Sequence, residues 1–365
     1  MDVIVLGGGL SGLTAADALH RAGHGVTVVE ARHFVGGRTM TLRPADPELG
    51  EDVWFDVGAT WHWDDQPRMV ALASELGIAA FPQYRDGLVV VETMPGAPPE
   101  RTGLPPPSPR ELRFAGGAQQ VGERLAGRLP EGSVLLNALA SSVEASGSGL
   151  VVSVADDEGA SRDLTADAVV VAIPPRLALQ DLAFTPDLPA DVERALRLTP
   201  TWMGTALKCV AVYESAFWRT DGLAGAAVSE VGPLREVHDA CSDNQTVAAL
   251  WGFVSPHHEW RDLSFDDRNE EVFAHLGRLF GDRAADPLRY YERDWSGDPY
   301  TNDEVFVFGD DLRAYGDPAF ARPLMGGRLV WAGTETVTPA EGGGHMEGAV
   351  ASGQRAAAQV LSLLG

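Results

Sequence analysis

Asp2 to Leu6 (DVIVL), apolar throughout after its aspartate, is too short for a helix and is followed at once by glycine. Such a run reads as a strand buried on both faces. Gly7 to Gly12 follows as a turn, Leu13 to Ala22 as a helix and Val26 to Glu30 as a second apolar strand. That order predicts a βαβ unit at the start of a parallel sheet.

Farther along, Met69 to Leu76 and Gln119 to Leu129 carry helical spacing, with a strand at Leu88 to Glu92 between them. Val134 to Leu136, Val143 to Glu144, Leu150 to Ala155 and Ala168 to Ile173 read as a small β meander returning to the main sheet. Pro174-Pro175 ends it, because neither proline can extend a ladder. Helices are expected at Pro189 to Leu198 and Asp266 to Phe280, and strands at Thr205 to Tyr213, Ala224 to Ser229, Thr246 to Phe253 and Arg289 to Asp294. Arg328 to Ala332 is apolar again, and Gly344 to Leu364 reads as a long final helix. Ala45 to Asp65 is irregular. Met94 to Pro109, with seven prolines in sixteen residues, reads as an extended loop.

A chain of 365 residues that is 45% hydrophobic has material for about two packed cores. Its net charge of −24 repels phosphate backbones and anionic lipid, so nucleic acid and membrane surfaces are excluded as partners. What remains is solubility and a mild preference for cations. No apolar run approaches the length of a membrane span, no secretory signal is expected and two cysteines make no disulfide framework; a cytoplasmic protein is expected. No metal site is expected. Of the 28 basic residues only Lys208 is a lysine, in the middle of an apolar strand. A chain that uses arginine everywhere else has kept an ammonium there, which a guanidinium cannot replace as a compact charge.

Gly7, Gly9 and Gly12 form GxGxxG between a strand and a helix, and Glu30 ends the next strand 18 residues after Gly12. Together these are the parts of a dinucleotide site: a tight turn, close backbone approach to a pyrophosphate at a helix N-terminus, and an acid for the ribose. Ala31 to Arg38 (ARHFVGGR) adds a second glycine pair and an arginine that can reach the same pyrophosphate, and no second GxGxxG occurs. One nucleotide motif argues against reduction by a second, nicotinamide nucleotide.

The run Val3 to Arg38 resembles the opening of flavin-containing amine oxidases of the monoamine oxidase type. The resemblance returns at Ala172-Ile173-Pro174-Pro175, continues through Met203 to Trp218 (MGTALKCVAVYESAFW), and closes with Ala332 to Thr336 (AGTET) and Met346 to Gly353 (MEGAVASG). It implies an FAD-binding, Rossmann-like α/β domain (1–65, 113–196 and 297–365) interleaved with a mixed-sheet α+β substrate domain (66–112 and 197–296). It implies FAD contacts at Gly7, Gly9, Leu10, Ser11 and Gly12; at Glu30, Ala31 and Arg32; and at Gly36, Gly37 and Arg38. Further contacts are implied at Gly58, Ala59 and Thr60, at Ala140 and Trp295, and at Gly333, Glu335, Gly344, His345 and Met346. Lys208 matches the lysine that holds a water against flavin N5.

The chain also departs from that family. Tyr84 to Arg113, mostly proline-rich, stands where monoamine oxidases carry a long helical insertion, so the cavity should be more open or roofed by a partner. His345 replaces a tyrosine of the aromatic cage, and the other wall falls near Val305 or Phe306. Trp61, Trp63, Val305 and His345 are therefore the expected substrate contacts, with Lys208 and His345 the candidate catalytic pair. His62 is a weaker candidate. No cysteine stands near Glu304, where some relatives attach FAD, so FAD should be non-covalent. The expected reaction moves a hydride from the carbon beside an amine nitrogen to flavin N5, with O2 as acceptor, giving imine and H2O2. A desaturase or cyclising oxidase acting on a bulky or carrier-tethered metabolite stays open, as does a flavin-binding protein without turnover. A homodimer or a carrier-protein partner also stays open.

Overall fold

The computed structural model describes residues 1–50, 52–105, 107–244, 246–256, 258–302 and 312–364. The apolar runs at the two ends of the chain meet in one parallel sheet. Its strands lie in the order Val134–Leu135, Gly25–Val29, Asp2–Leu6, Ala168–Val171, Leu329–Trp331. All four residues of Ala168–Val171 are buried, as a central parallel strand requires. Helices Leu10–Arg21, Gln119–Ala126 and Met346–Leu361 share a core with one face of this sheet. The other face packs on a four-stranded sheet built mainly from Ala138–Ser146, Gly149–Asp156 and Ser161–Ala166. The meander is therefore a sheet of its own, whereas its expected first and last members, near 134 and 168, belong to the parallel sheet.

The first helix begins at Leu10, three residues before the expected start, with Gly9 as its N-cap. Gly12 lies inside the first turn because a Cβ there would fall 2.1 Å from the Gly7 carbonyl oxygen. The helix Pro175–Asp181 was not expected: Pro174-Pro175 ends the strand, and Pro175 then starts this helix, where proline is tolerated because that N–H would have no helical partner.

The remaining large sheet has seven strands, in the order Arg289–Asp294, Leu207–Tyr213, Ala248–Val254, Leu234–Asp239, Leu223–Ser229, Leu88–Glu92, Glu100–Thr102. Its second strand, Leu207–Tyr213, is buried on both faces. Leu207, Cys209, Ala211 and Tyr213 pack toward helix Phe265–Phe280, and Val210 and Val212 pack toward Phe55 and Val57. The proline-rich stretch is not wholly loop, since Glu100–Thr102 adds an edge strand to Leu88–Glu92. Every strand of the parallel sheet falls in 1–65, 113–196 or 297–365, and every strand of the seven-stranded sheet in 66–112 or 197–296. We propose the two-domain division on that distribution. A three-stranded sheet, His62–Trp63 with Glu111–Phe114 and Ala80–Pro82, ties the two sets together.

Candidate active site

One cavity of about 350 Å³ runs from the glycine turn to the face of the seven-stranded sheet. At its first end the helix Leu10–Arg21 presents its N-terminus without any side-chain cap. The first N–H groups of a helix have no internal partner and carry partial positive charge. A Cβ on Gly9 would meet no protein atom within 4 Å, so the space in front of this turn is open. Glu30 is buried beside it, accepting from Gly8 N at 2.6 Å and Arg32 N at 2.8 Å. Arg32 is held in turn by Asp298 and Thr301.

Glu335 marks the middle of the cavity. It is wholly buried; one carboxylate oxygen accepts from Arg38 Nη1 at 2.6 Å, and the other has no partner among the described residues. A buried carboxylate oxygen without a donor costs free energy, so this one suits a hydroxyl supplied by a ligand. Burial acts against the Arg38 guanidinium, but the field and hydrogen bond of Glu335, with a contribution from Tyr315, together raise its pKa. Helix Met346–Leu361 starts here, again with no side-chain cap at His345. An open glycine turn, a free helix N-terminus, an orphaned acid oxygen and an apolar trough therefore fit FAD. Gly9, Leu10 and Ser11 would hold the pyrophosphate, Glu30 the ribose and Glu335 with Arg38 the polyol chain.

At the far end, Lys208 is buried and donates to the Gly58 carbonyl at 3.0 Å and to the Thr60 hydroxyl. Its Nζ stands 4.0 Å from the centre of the Trp251 indole. Burial pushes its pKa down to about 7, with Asp56 opposing and Arg113 adding to the fall. Trp61 donates to Gln83 at 2.8 Å and packs at 5.0 Å on Trp251, and Trp63 meets His345 edge-on at 5.1 Å. Burial lowers the pKa of His345, which favours its neutral form.

Most of the expected residues meet in this cavity: Gly7, Gly9, Leu10, Ser11, Glu30, Ala31, Arg32, Gly36, Gly37, Arg38, Gly58, Ala59, Thr60, Trp61, Trp63, Ala140, Lys208, Gly333, Glu335, Gly344, His345 and Met346. Gly12 does not line it; its contact with Gly7 is internal to the turn. Trp295 does not line it either. Its indole is wholly buried, donates to the Val57 carbonyl at 2.9 Å and is covered by Arg293, so it props the Gly58 backbone from behind. His62 is stacked on Phe114 at 4.3 Å and is a packing residue. Val305, Phe306 and Glu304 lie outside the described residues. Trp251, Phe253, Glu236, Trp202, Tyr300 and Thr301 line the cavity without having been expected there. The alternation of Thr246 to Phe253 held the signal for Trp251 and Phe253, which share a face; nothing local marked Glu236.

The sequence profile described as "Flavin containing amine oxidoreductase" matches residues 10–93 and 104–361. The chain belongs to this family and is an FAD-dependent oxidoreductase with an α/β flavin-binding fold. It is 26% identical over 472 aligned positions to a flavin-containing amine oxidase of Danio rerio, covering 100% of this chain and 86% of that one. Among solved structures it is similar to wild-type putrescine oxidase bound to putrescine, with a TM-score of 0.84, 26% identity and 99% of each chain covered. Cyclohexylamine oxidase from Brevibacterium oxydans IH-35A also shares the fold, with a TM-score of 0.84 at 23% identity, covering 100% of this chain and 99% of that one.

Proposed function

We propose that the protein oxidises amines with non-covalently bound FAD and passes the electrons to O2. FAD held by Gly9, Leu10, Ser11, Glu30, Arg38 and Glu335 would supply a two-electron acceptor for the hydride on the carbon beside the nitrogen; with the proton lost by that nitrogen and transfer of both electrons and both protons to O2, amine and O2 would give imine and H2O2. The carrying observation is the single cavity that joins a nucleotide cradle to a sheet face bearing Lys208.

The protein's own groups supply the setting. The N-terminus of Met346–Leu361 places partial positive charge at the mouth of that cradle. Lys208 offers a cation fixed between Gly58, Thr60 and the Trp251 face, aimed where negative charge develops during electron transfer to O2. Trp61, Trp63 and Trp251 enclose an apolar space that excludes water from the reacting carbon. Neutral His345 can accept the proton an ammonium must lose before its nitrogen lone pair is free. The two cysteines are buried and line no part of the cavity, which supports a non-covalent cofactor. An H2O2-coupled screen over amines, amino acids and larger aromatic metabolites tests this reading. Peroxide with at least one amine supports it, and anaerobic flavin that no amine bleaches overturns it.

A further inference from the structure

The register of the seven-stranded sheet sets three unlike side chains in one row. Lys208 pairs with Phe253, and Phe253 pairs with Glu236. Paired residues of neighbouring strands point to the same face, so all three look into the cavity, which each of them lines. One step along, Val210, Trp251 and His238 form the next row of that face. The cavity wall thus runs from a lysine, over aromatic rings, to a carboxylate. Two strand spacings, roughly 10 Å, separate its ends.

Glu236 is built to stay charged and to keep its direction. His238 Nε2 lies 3.2 Å from one of its oxygens, and His238 Nδ1 lies 3.3 Å from Arg85 Nη1. The neutral tautomer with its proton on Nε2 satisfies both contacts, accepting from Arg85 and donating to Glu236. Arg85 is itself held by Glu111 at 2.5 Å. His238 is clamped between Trp61 and Trp251, with ring centres 4.7 Å and 4.6 Å away. Burial opposes the Glu236 anion, but the charged or titratable groups around it, His238, Lys208 and Arg85, all favour it and together hold its pKa below the ordinary value. Among the described residues His238 is the only hydrogen-bond partner of the carboxylate, leaving acceptor capacity turned to the cavity.

We propose that Glu236 binds a second cationic group of the substrate, so that the enzyme prefers aliphatic diamines over monoamines of the same length. The reacting nitrogen lies at the Lys208 end, the methylenes run along Phe253 and Trp251, and the distal ammonium meets Glu236. The aromatic faces suit both the methylene chain and the approaching cation. The same arrangement disfavours a carboxylate at the Glu236 end, where Arg85 is already paired with Glu111 and like charges would repel.

This inference rests on the amine-oxidase reading, and the two are tested apart. The wild-type holoenzyme is assayed with α,ω-diamines of three to six carbons and with the matched n-alkylamines. The kcat/KM for the best diamine should exceed that of its monoamine by at least about tenfold, the scale of one charge-assisted contact. Glu236→Gln should bring that ratio toward one. Glu236→Asp should retain the preference but move it to a longer diamine, since its carboxylate reaches one methylene less far. Calorimetric titration compares 1,4-diguanidinobutane with n-butylguanidine, and only the dication should lose affinity in Glu236→Gln. Amine turnover with no diamine preference in the wild type, or an unchanged ratio in both variants, overturns the role of Glu236 alone. Dication binding that depends on Glu236 without turnover of any amine overturns the oxidase reading alone.

Discussion

Lys208 Nζ lies 4.0 Å from the centre of the Trp251 ring while donating to the Gly58 carbonyl, so the only lysine of the chain is held by three groups that cannot neutralise it. The carboxylate that most favours its charge is Asp56, itself pushed toward its neutral form by burial, with Glu236 contributing less. Burial disfavours the cation, and the three groups that touch it leave its charge uncancelled when it is protonated.

Replacing Lys208 with Met should therefore leave a folded, yellow protein whose flavin is still reduced by substrate. Stopped-flow mixing of the reduced variant with oxygen should show reoxidation slowed at least about tenfold, or ~1.4 kcal/mol. Lys208→Arg should restore little, because a guanidinium is larger and spreads its charge. Reoxidation at the wild-type rate in either variant would refute a role for this cation.

The pH dependence has a defined sign. Lys208 is charged below about 7 and loses its charge as pH rises through that value, so wild-type reoxidation should fall on the alkaline side. Between about 7 and the ordinary 10.5 the unfolded chain binds this proton more tightly than the folded one, so the lysine's contribution to stability rises with pH over that window. In Lys208→Met both dependences should flatten, as read by stopped-flow traces and urea midpoints at matched pH.

Two glycines of one motif should respond oppositely to the same substitution. A Cβ at Gly9 faces open space, and the residue's φ of −77° suits any L-amino acid. Gly9→Ala should keep the thermal midpoint of the apoprotein within a few degrees while weakening FAD at least about tenfold, because the methyl occupies the pyrophosphate's approach. A Cβ at Gly12 would collide with backbone, so Gly12→Ala should lower stability by roughly 2 kcal/mol or more. FAD titration and thermal melts of both variants separate the outcomes.

Acid precipitation of the purified protein should leave FAD in the supernatant, because both cysteines are buried away from the cavity. A yellow pellet under a colourless supernatant would establish a covalent link.

NADH and NADPH should fail to bleach the flavin under anaerobic conditions at rates comparable to substrate. GxGxxG occurs once, and the cavity it opens continues to Lys208. Rapid bleaching by either nucleotide would give the cavity a different electron donor.

The nucleotide half of the site was legible in the sequence because its requirements are local. Gly7, Gly9, Glu30, Gly36 and Arg38 are fixed by backbone geometry within two neighbouring turns, and spacing records such geometry. The substrate half depends on which strands lie side by side. Leu234–Asp239 (LREVHD) escaped notice because its apolar residues are sparse, yet it carries both Glu236 and His238. Ser161–Ala166 was missed for a related reason: it is a polar, mostly exposed edge strand. Trp295 shows the converse limit. It was expected among the cofactor contacts, but its indole lies behind the Gly58 backbone, a placement decided by the hydrogen bond to Val57, which no spacing encodes.

Helix Met346–Leu361 crosses the first helix so closely that a Cβ on Gly353 would fall 2.4 Å from the Ser11 carbonyl oxygen, and the two helix N-termini open on one cavity. A ribosome delivers Gly9 337 residues before Met346 (346 − 9). The glycine turn must therefore wait, with its apolar helix face uncovered, until Met346–Leu361 has emerged. FAD cannot find both helix N-termini in a nascent chain that stops short of Met346. Once bound, it links two helices far apart in the chain, so starvation for flavin should loosen both together and expose both to proteolysis.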